Sequence, residues 1–188
     1  MSFLSIRNPA QARRLFLARS GLVLSGAAVA LLAGRDALAA TSKEKGSDTR
    51  ILNTALAAEL EAVAAYQVGA ESGLLQKPVL ALAMQFQGHH KEHAEVLART
   101  IQTLGGKPVA AKDKYTFPVE GLKSQADVLR FAAGLERGAV SAYLGAVPLF
   151  ASRDLSKAAA SILGDEAMHW AVLRNALGDN PVPSAFVS

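Results

Sequence analysis

The sequence predicts an all-α protein, a four-helix bundle built from two helical hairpins with a long crossover between helices two and three. Three observations predict it. Of the 188 residues 51% are apolar but only 6% aromatic, a mix that suits helices better than the Val-, Ile- and Tyr-rich strands of a β-sandwich. Apolar residues recur at helical spacing in four segments bounded by Pro, Gly and Ser/Asp signals. The connections are also unequal: a few residues around Gln76-Lys77 and around Phe150-Ser152, against about eighteen from Gly105 to Leu122.

Residues 1–39 read as a leader rather than as part of the bundle. They carry five Arg and a single acid, so of the 20 basic and 16 acidic side chains fifteen of each remain beyond them, net zero. The basicity behind the pI of about 9.5 thus belongs to the leader, and a nucleic-acid reading, which needs a basic face on the folded domain, is dropped. A basic segment ends in Arg13-Arg14-Leu15-Phe16-Leu17, an apolar stretch runs from Gly21 to Gly34, and Ala37-Leu38-Ala39 offers a small-residue cleavage site. The apolar stretch is shorter than the roughly 20 residues of a spanning helix. The segment is expected to be a signal peptide cleaved after about Ala39, which leaves no stable membrane span; a retained membrane anchor is the alternative. The Arg-Arg-x-Phe-Leu core resembles a bacterial twin-arginine signal, which implies the twin-arginine export machinery as a partner and periplasmic delivery of an already folded protein. The absence of cysteine agrees with an oxidising destination, and it excludes disulfides, thiol chemistry and Cys-ligated metal centres.

Residues 40–48 read as a polar linker and 49–178 as the bundle. Helix one is expected from about Thr49 to Leu75, capped by Asp48 or Ser47, with Ile51, Leu52, Ala55, Leu56, Leu60, Val63 and Ala64 on its apolar face. Helix two begins at Pro78, which suits a first turn, and stops at Gly105-Gly106. Helix three starts at Ser124, where Ser124-x-x-Asp127 imitates a capping box, and ends near Pro148; Gly134, Gly138 and Gly145 are expected to allow close helix packing. Helix four runs from about Asp154 to Gly178, with Pro181 and Pro183 beyond. Residues 179–188 form an irregular tail that could pack through Phe186. A 27-residue helix is about 40 Å long, and eighteen extended residues reach about 60 Å. The connection after helix two can therefore cross the bundle end to end.

The two hairpins repeat each other. Glu59-x6-Tyr66 recurs as Glu136-x6-Tyr143, and Gly88-His89-His90-x-x-His93-x-x-Val96-Leu97 recurs as Gly164-Asp165-Glu166-x-x-His169-x-x-Val172-Leu173. In an antiparallel hairpin, residues equidistant from the turn face each other. Glu59 then faces His93, and Glu136 faces Glu166 and His169. All four histidines of the chain fall in the matched windows. Three carboxylates and three imidazoles converging in a bundle interior would repel and lose hydration at several kcal/mol each. A divalent cation removes that cost, and this donor set suits iron, manganese or zinc. The metal-free alternative is a relic held by Glu–His and Glu–Tyr hydrogen bonds.

This arrangement resembles the ferritin-like di-metal carboxylate superfamily, in which one Glu from each of two helices and a Glu-x-x-His from each of the others bind two metals. The resemblance implies Glu59, His93, Glu136, Glu166 and His169 as ligands of iron (a di-iron centre) or manganese, one or two ions per chain. It also implies Tyr66 and Tyr143 as hydrogen-bond donors to ligand carboxylates. The sequence departs from the pattern at His90, which stands where the family has a glutamate that commonly bridges the metals. His90 either joins a three-His, three-Glu site, favours one metal over two, or marks a site that has lost activity. His89 is expected to be a solvated or satisfied histidine, with a substitute ligand as its alternative. Glu61, Glu92 and Glu95 are expected to be solvated.

Two functions remain open at the level of sequence. One is an exported ferritin-like protein whose metal site does redox chemistry with oxygen or peroxide, as a ferroxidase, peroxidase or catalase-like oxidoreductase. The other is a non-catalytic bundle acting as a stress-related or partner-binding envelope protein. A homo-oligomer is compatible with either. A complete rubrerythrin would need cysteines, the DNA-protecting mini-ferritins use different ligand spacing, and the short Pro-containing tail cannot supply a storage ferritin's fifth helix.

Overall fold

The computed structural model describes residues 42–187, and the leader with its signal and cleavage site lies outside them. Four helices follow one another: α1 (Ser42–Glu71), α2 (Lys77–Thr103), α3 (Gln125–Ala146) and α4 (Arg153–Ala176). Short 3-10 turns stand at Val119–Gly121 and Val147–Leu149. None of the described helices is long and apolar enough to cross a membrane.

The termination chemistry of α2 and α4 is local and matches the sequence signals. Gly105 at φ 81° and Gly178 at φ 79° adopt the left-handed conformation that ends a helix. The next amides turn back to Ile101 O and Arg174 O at 2.9 Å each, satisfying carbonyls the helix leaves free. Gly106 is also required by contact, since a Cβ there would lie 2.4 Å from Thr49 Cγ2. At the start of α3, Ser124 Oγ accepts from the Asp127 amide at 3.2 Å, while Asp127 Oδ2 accepts from the Lys123 amide at 3.2 Å.

Four expectations need correction. Helix α1 begins at Ser42, so most of the segment read as a linker is helical. Asp48 does not cap its own helix: it is buried and accepts from the Ala151 and Ser152 amides at 2.9 and 3.1 Å, at the N-terminus of α4. Gly134, Gly138 and Gly145 do not mark close packing, because a Cβ at each would meet nothing within 4 Å. The tail is irregular as expected, but Phe186 is 86% exposed rather than packed into the bundle.

Hydrogen bonds at the two ends set the topology. The Gln76 amide in the α1–α2 turn donates to Gln125 Oε1 at the start of α3, and Asp48 reaches the α3–α4 turn. Helices α1 and α3 are therefore antiparallel, and the chain between α2 and α3 must return along the whole bundle. Asn53 pins its beginning, donating to Lys107 O and accepting from the Val109 amide. Near its end Phe117 stacks on Tyr115 and meets Phe131 of α3 edge-on.

The apolar core is split in two. Leu52, Leu56, Leu97, Ile101, Leu155 and Ile162 pack one half, and Tyr66, Phe86, Leu129, Ala132 and Leu173 the other. Full burial of each such aliphatic side chain contributes about 1.5–3 kcal/mol. The two apolar layers hold between them a layer of charged and imidazole side chains.

Candidate metal centre

Each of the four helices delivers its chemistry to that middle layer. Glu59 comes from α1, His90 and His93 from α2, Glu136 from α3, and Glu166 and His169 from α4. Five of the six are buried, and His93 is nearly so. They form two overlapping clusters whose ligand-type atoms all lie within 4.8 Å of one another: Glu59, His90, His93 and Glu166; and His90, Glu136, Glu166 and His169. His90 and Glu166 belong to both. All six predicted residues are therefore brought to one level.

The phenols are crossed between the hairpins. Tyr143 Oη donates to Glu59 Oε1 at 2.6 Å, and Tyr66 Oη donates to Glu136 Oε1. Burial and the adjacent carboxylates, Glu136 for Tyr66 and Glu59 for Tyr143, push both phenols well above their ordinary range, so they stay protonated and donate.

Charge is distributed unevenly. Burial by itself would raise the Glu59 carboxyl, but the hydrogen bond with His90 and the neighbouring His93 imidazole outweigh it and hold the group at about 2. Glu136 is likewise buried, yet His169 and His90 keep it well below the usual carboxylate range. Glu166 goes the other way, raised by burial and by its carboxylate neighbours. Burial opposes the imidazolium at His90, His93 and His169; the surrounding carboxylates win, pushing them up to about 10, 12 and 9.

The test of whether a metal suits this donor set lies in its unpaired atoms. Among the described residues, the buried side-chain polar atoms without a hydrogen-bond partner are His93 Nδ1, His169 Nδ1, Glu136 Oε2 and both Glu166 oxygens. Buried polar atoms are ordinarily paired. These five belong to four predicted ligands, and the two imidazole nitrogens face the Glu166 oxygens: His93 Nδ1 lies 3.1 Å from Glu166 Oε1, and His169 Nδ1 lies 3.6 Å from Glu166 Oε2. Once the two imidazoles give up their protons, two ring nitrogens and three carboxylate oxygens make a donor set that fits a divalent ion of the iron or manganese type. His90 differs, since both its nitrogens already face carboxylates: Nδ1 meets Glu59 Oε2 at 2.8 Å, and Nε2 meets Glu136 Oε1 at 3.3 Å.

Behind the centre stands a group the sequence reading passed over. Asp165 Oδ2 lies 3.4 Å from His93 Nε2 and 3.3 Å from His169 Nε2, so one carboxylate backs both imidazoles and leaves each Nδ1 facing inward. Its carboxyl, opposed by burial, is lowered by His93 and His169. The signal was available: Asp165 is the residue matched to His89 in the repeat. His89 is half-exposed and satisfied as expected, but its partners are His169 Nε2 at 2.8 Å and Asp165 at 3.3 Å, at the rim of the centre. Glu92 and Glu95 are exposed; Glu61 is only half-exposed.

Two clefts approach the layer. Between α1 and α3, a cleft of about 620 Å³ lined largely by Ala and Gly reaches Glu59, His90 and Tyr143, with Gly138 and Gly145 on its wall. Between α2 and α4, a more polar cleft of about 450 Å³ is lined by His89, Glu92, His93 and Asp165.

A four-helix bundle with an end-to-end crossover and a central carboxylate–imidazole layer defines the class of this protein. Residues 47–179 match the family model of the ferritin-like domain, and the chain belongs to that family. The chain is similar in structure to a conserved hypothetical protein of Mycobacterium tuberculosis, with TM-score 0.66 and 24% identity over 76% of this chain and 99% of the other. It is also similar to a ferritin-like, diiron-carboxylate protein of Bacillus anthracis, with TM-score 0.63 and 21% identity over 73% of this chain and 99% of the other. No curated protein matches the sequence.

Proposed function

We propose that this chain is an exported metal-dependent oxidoreductase of the ferritin-like family, holding one or two iron or manganese ions and acting with oxygen or peroxide as oxidant. The observation that carries the reading is the meeting of five unpaired buried donor atoms, two of them the oxygens of Glu166, between helices α2, α3 and α4. Glu59, His93 and Glu166 would hold one ion, and Glu136, Glu166 and His169 the other, with His90 beside both. Such an ion, when bound, supplies reversible one-electron chemistry and a Lewis-acidic position for the oxidant.

The chain's own residues do the rest. Tyr66 and Tyr143 donate to Glu136 and Glu59, holding one oxygen of each carboxylate so that the other faces the centre. Asp165 fixes the rings of His93 and His169 with Nδ1 inward. The apolar cleft between α1 and α3 admits a small neutral oxidant to the Glu59–His90 side. The Arg13-Arg14 leader supports delivery to the periplasm in the folded state, with the metal loaded beforehand.

Metal analysis of the protein purified from the periplasmic fraction, followed by oxygen- and peroxide-consumption assays after ferrous loading, tests the reading. One or two ions per chain and oxidant consumption are expected. The second reading, a metal-free bundle with a partner-binding role, is favoured by the fully paired His90, and it would be established by a chain that takes up no iron or manganese.

A further inference from the structure

The rear of the centre carries a second set of donors pointing the opposite way. His89 Nδ1, His169 Nε2 and Asp165 Oδ2 form a compact triad, with separations of 2.8 Å for the two nitrogens and 3.3 Å from each nitrogen to the carboxylate. It shares the His169 ring with one inner cluster, but neither inner cluster uses His89 or Asp165. It is the more exposed set: the side chains of His89 and Asp165 are 34% and 24% exposed and line the polar cleft between α2 and α4, against 15% for His93 of the inner clusters, which the same cleft reaches. Phe86 stacks on the His169 ring at 4.0 Å between centroids and holds its plane, with Nε2 toward Asp165 and Nδ1 toward Glu166.

We propose that His89, Asp165 and the outer nitrogen of His169 form an entry station where a divalent cation arriving through the α2–α4 cleft is first held before it passes inward. The inference rests on the metal reading of the centre. Its chemistry follows from the two faces of one ring. A neutral imidazole has a single lone pair available, because the other nitrogen carries the proton. With the proton on Nδ1, His169 offers Nε2 to an ion in the cleft; with the proton on Nε2, it offers Nδ1 to the inner layer. An ion moving inward therefore exchanges Nε2 for Nδ1, and the proton is returned to Nε2 beside Asp165. One neutral ring cannot serve both positions together, so the outer station is transient, and His89 and Asp165 supply the remaining donors at that stage. The residue matched to His89 in the other half is Asp165 itself, so the same repeat position supplies a donor from each hairpin, and His169 completes the triad.

Stopped-flow loading of the metal-stripped protein with cobalt(II), read by its visible ligand-field absorption, tests the station, together with the final ion count per chain. His89→Ala is expected to load at least tenfold more slowly and to reach the same final count. His89→Asp, which keeps a cation ligand at the rim, is expected to recover most of the rate; that rescue separates cation capture from a packing effect. Loading of His89→Ala at the parent rate, with a full complement, would overturn the entry station and leave the inner centre standing. A full complement lower by one ion in His89→Ala would overturn the transient role in favour of a resident third ion. A parent protein that binds no cobalt at all would remove the inner centre, and the entry station with it.

Discussion

Glu166 is the residue on which the centre turns. It is fully buried, belongs to both clusters, and has neither carboxylate oxygen in a hydrogen bond. Its raised carboxyl marks the one acid that the surrounding imidazoles do not fully compensate. Glu166→Ala and His169→Ala should each lower metal content at least tenfold, measured as ions per chain after equilibration with limiting iron; unchanged loading would exclude these ligands. At the same scale, the crossed tyrosines were only half legible. Tyr66 and Tyr143 were recognisable as donors to carboxylates, but seven residues separate each from its own-half Glu, about 10 Å along the helix axis. The antiparallel partner supplies a nearer acceptor, and no single-helix argument contains that partner.

Among the elements, α1 and α4 show how a local signal can be taken over by a distant one. Asp48 has the chemistry of an N-cap and precedes an apolar-periodic stretch, yet α1 runs through it to Ser42. The carboxylate is engaged instead by the first amides of α4, where it meets unpaired N–H groups and the positive end of the helix dipole. Asp48→Ala removes a charged acceptor from two amides and should destabilise the protein by about 1.5–3 kcal/mol, read as a lower urea midpoint with the slope unchanged. By contrast, the ends of α2, α3 and α4 were readable because their signals act within a few residues: Gly105 and Gly178 adopt positive φ, and Ser124 accepts from Asp127. The glycines of α3 mislead for the opposite reason. Small residues are required where a neighbour approaches, but at Gly134, Gly138 and Gly145 the neighbouring space is open.

Over the whole molecule, the charged layer between two apolar cores couples stability to pH. In the metal-free protein His90, His93 and His169 are raised from 6.5 to about 10, 12 and 9. Their stabilising contribution is complete below pH 6.5 and is lost as pH rises through those values. Glu166, also raised, acts in the same direction from its ordinary 4.5 upward. Glu59, lowered from 4.5 to about 2, contributes stability that is present above 4.5 and is lost as pH falls through 2. The metal-free bundle should therefore melt highest on the acid side of neutrality and lose thermal stability toward pH 9–10. Metal binding takes deprotonated imidazoles, so the loaded protein should keep its melting temperature where the stripped one declines. Melting curves of both forms from pH 5 to 10 check this, and a stripped protein that gains stability over the same range would contradict it.

Length, composition and periodicity by themselves determined four helices, their hairpin pairing and the need for a crossover, because apolar spacing and turn chemistry are local properties of the chain. The internal repeat carried further: it alone marks Glu59, His93, Glu136, Glu166 and His169 as a set. Which atoms of that set stay unpaired, which tyrosine meets which glutamate, and that Asp165 stands behind two imidazoles at once were decided only by the tertiary structure. Hydrogen bonds and charge interactions act over a few ångströms in space, and residues as far apart in sequence as His89 and His169 come within that range only once the crossover has laid one hairpin antiparallel against the other.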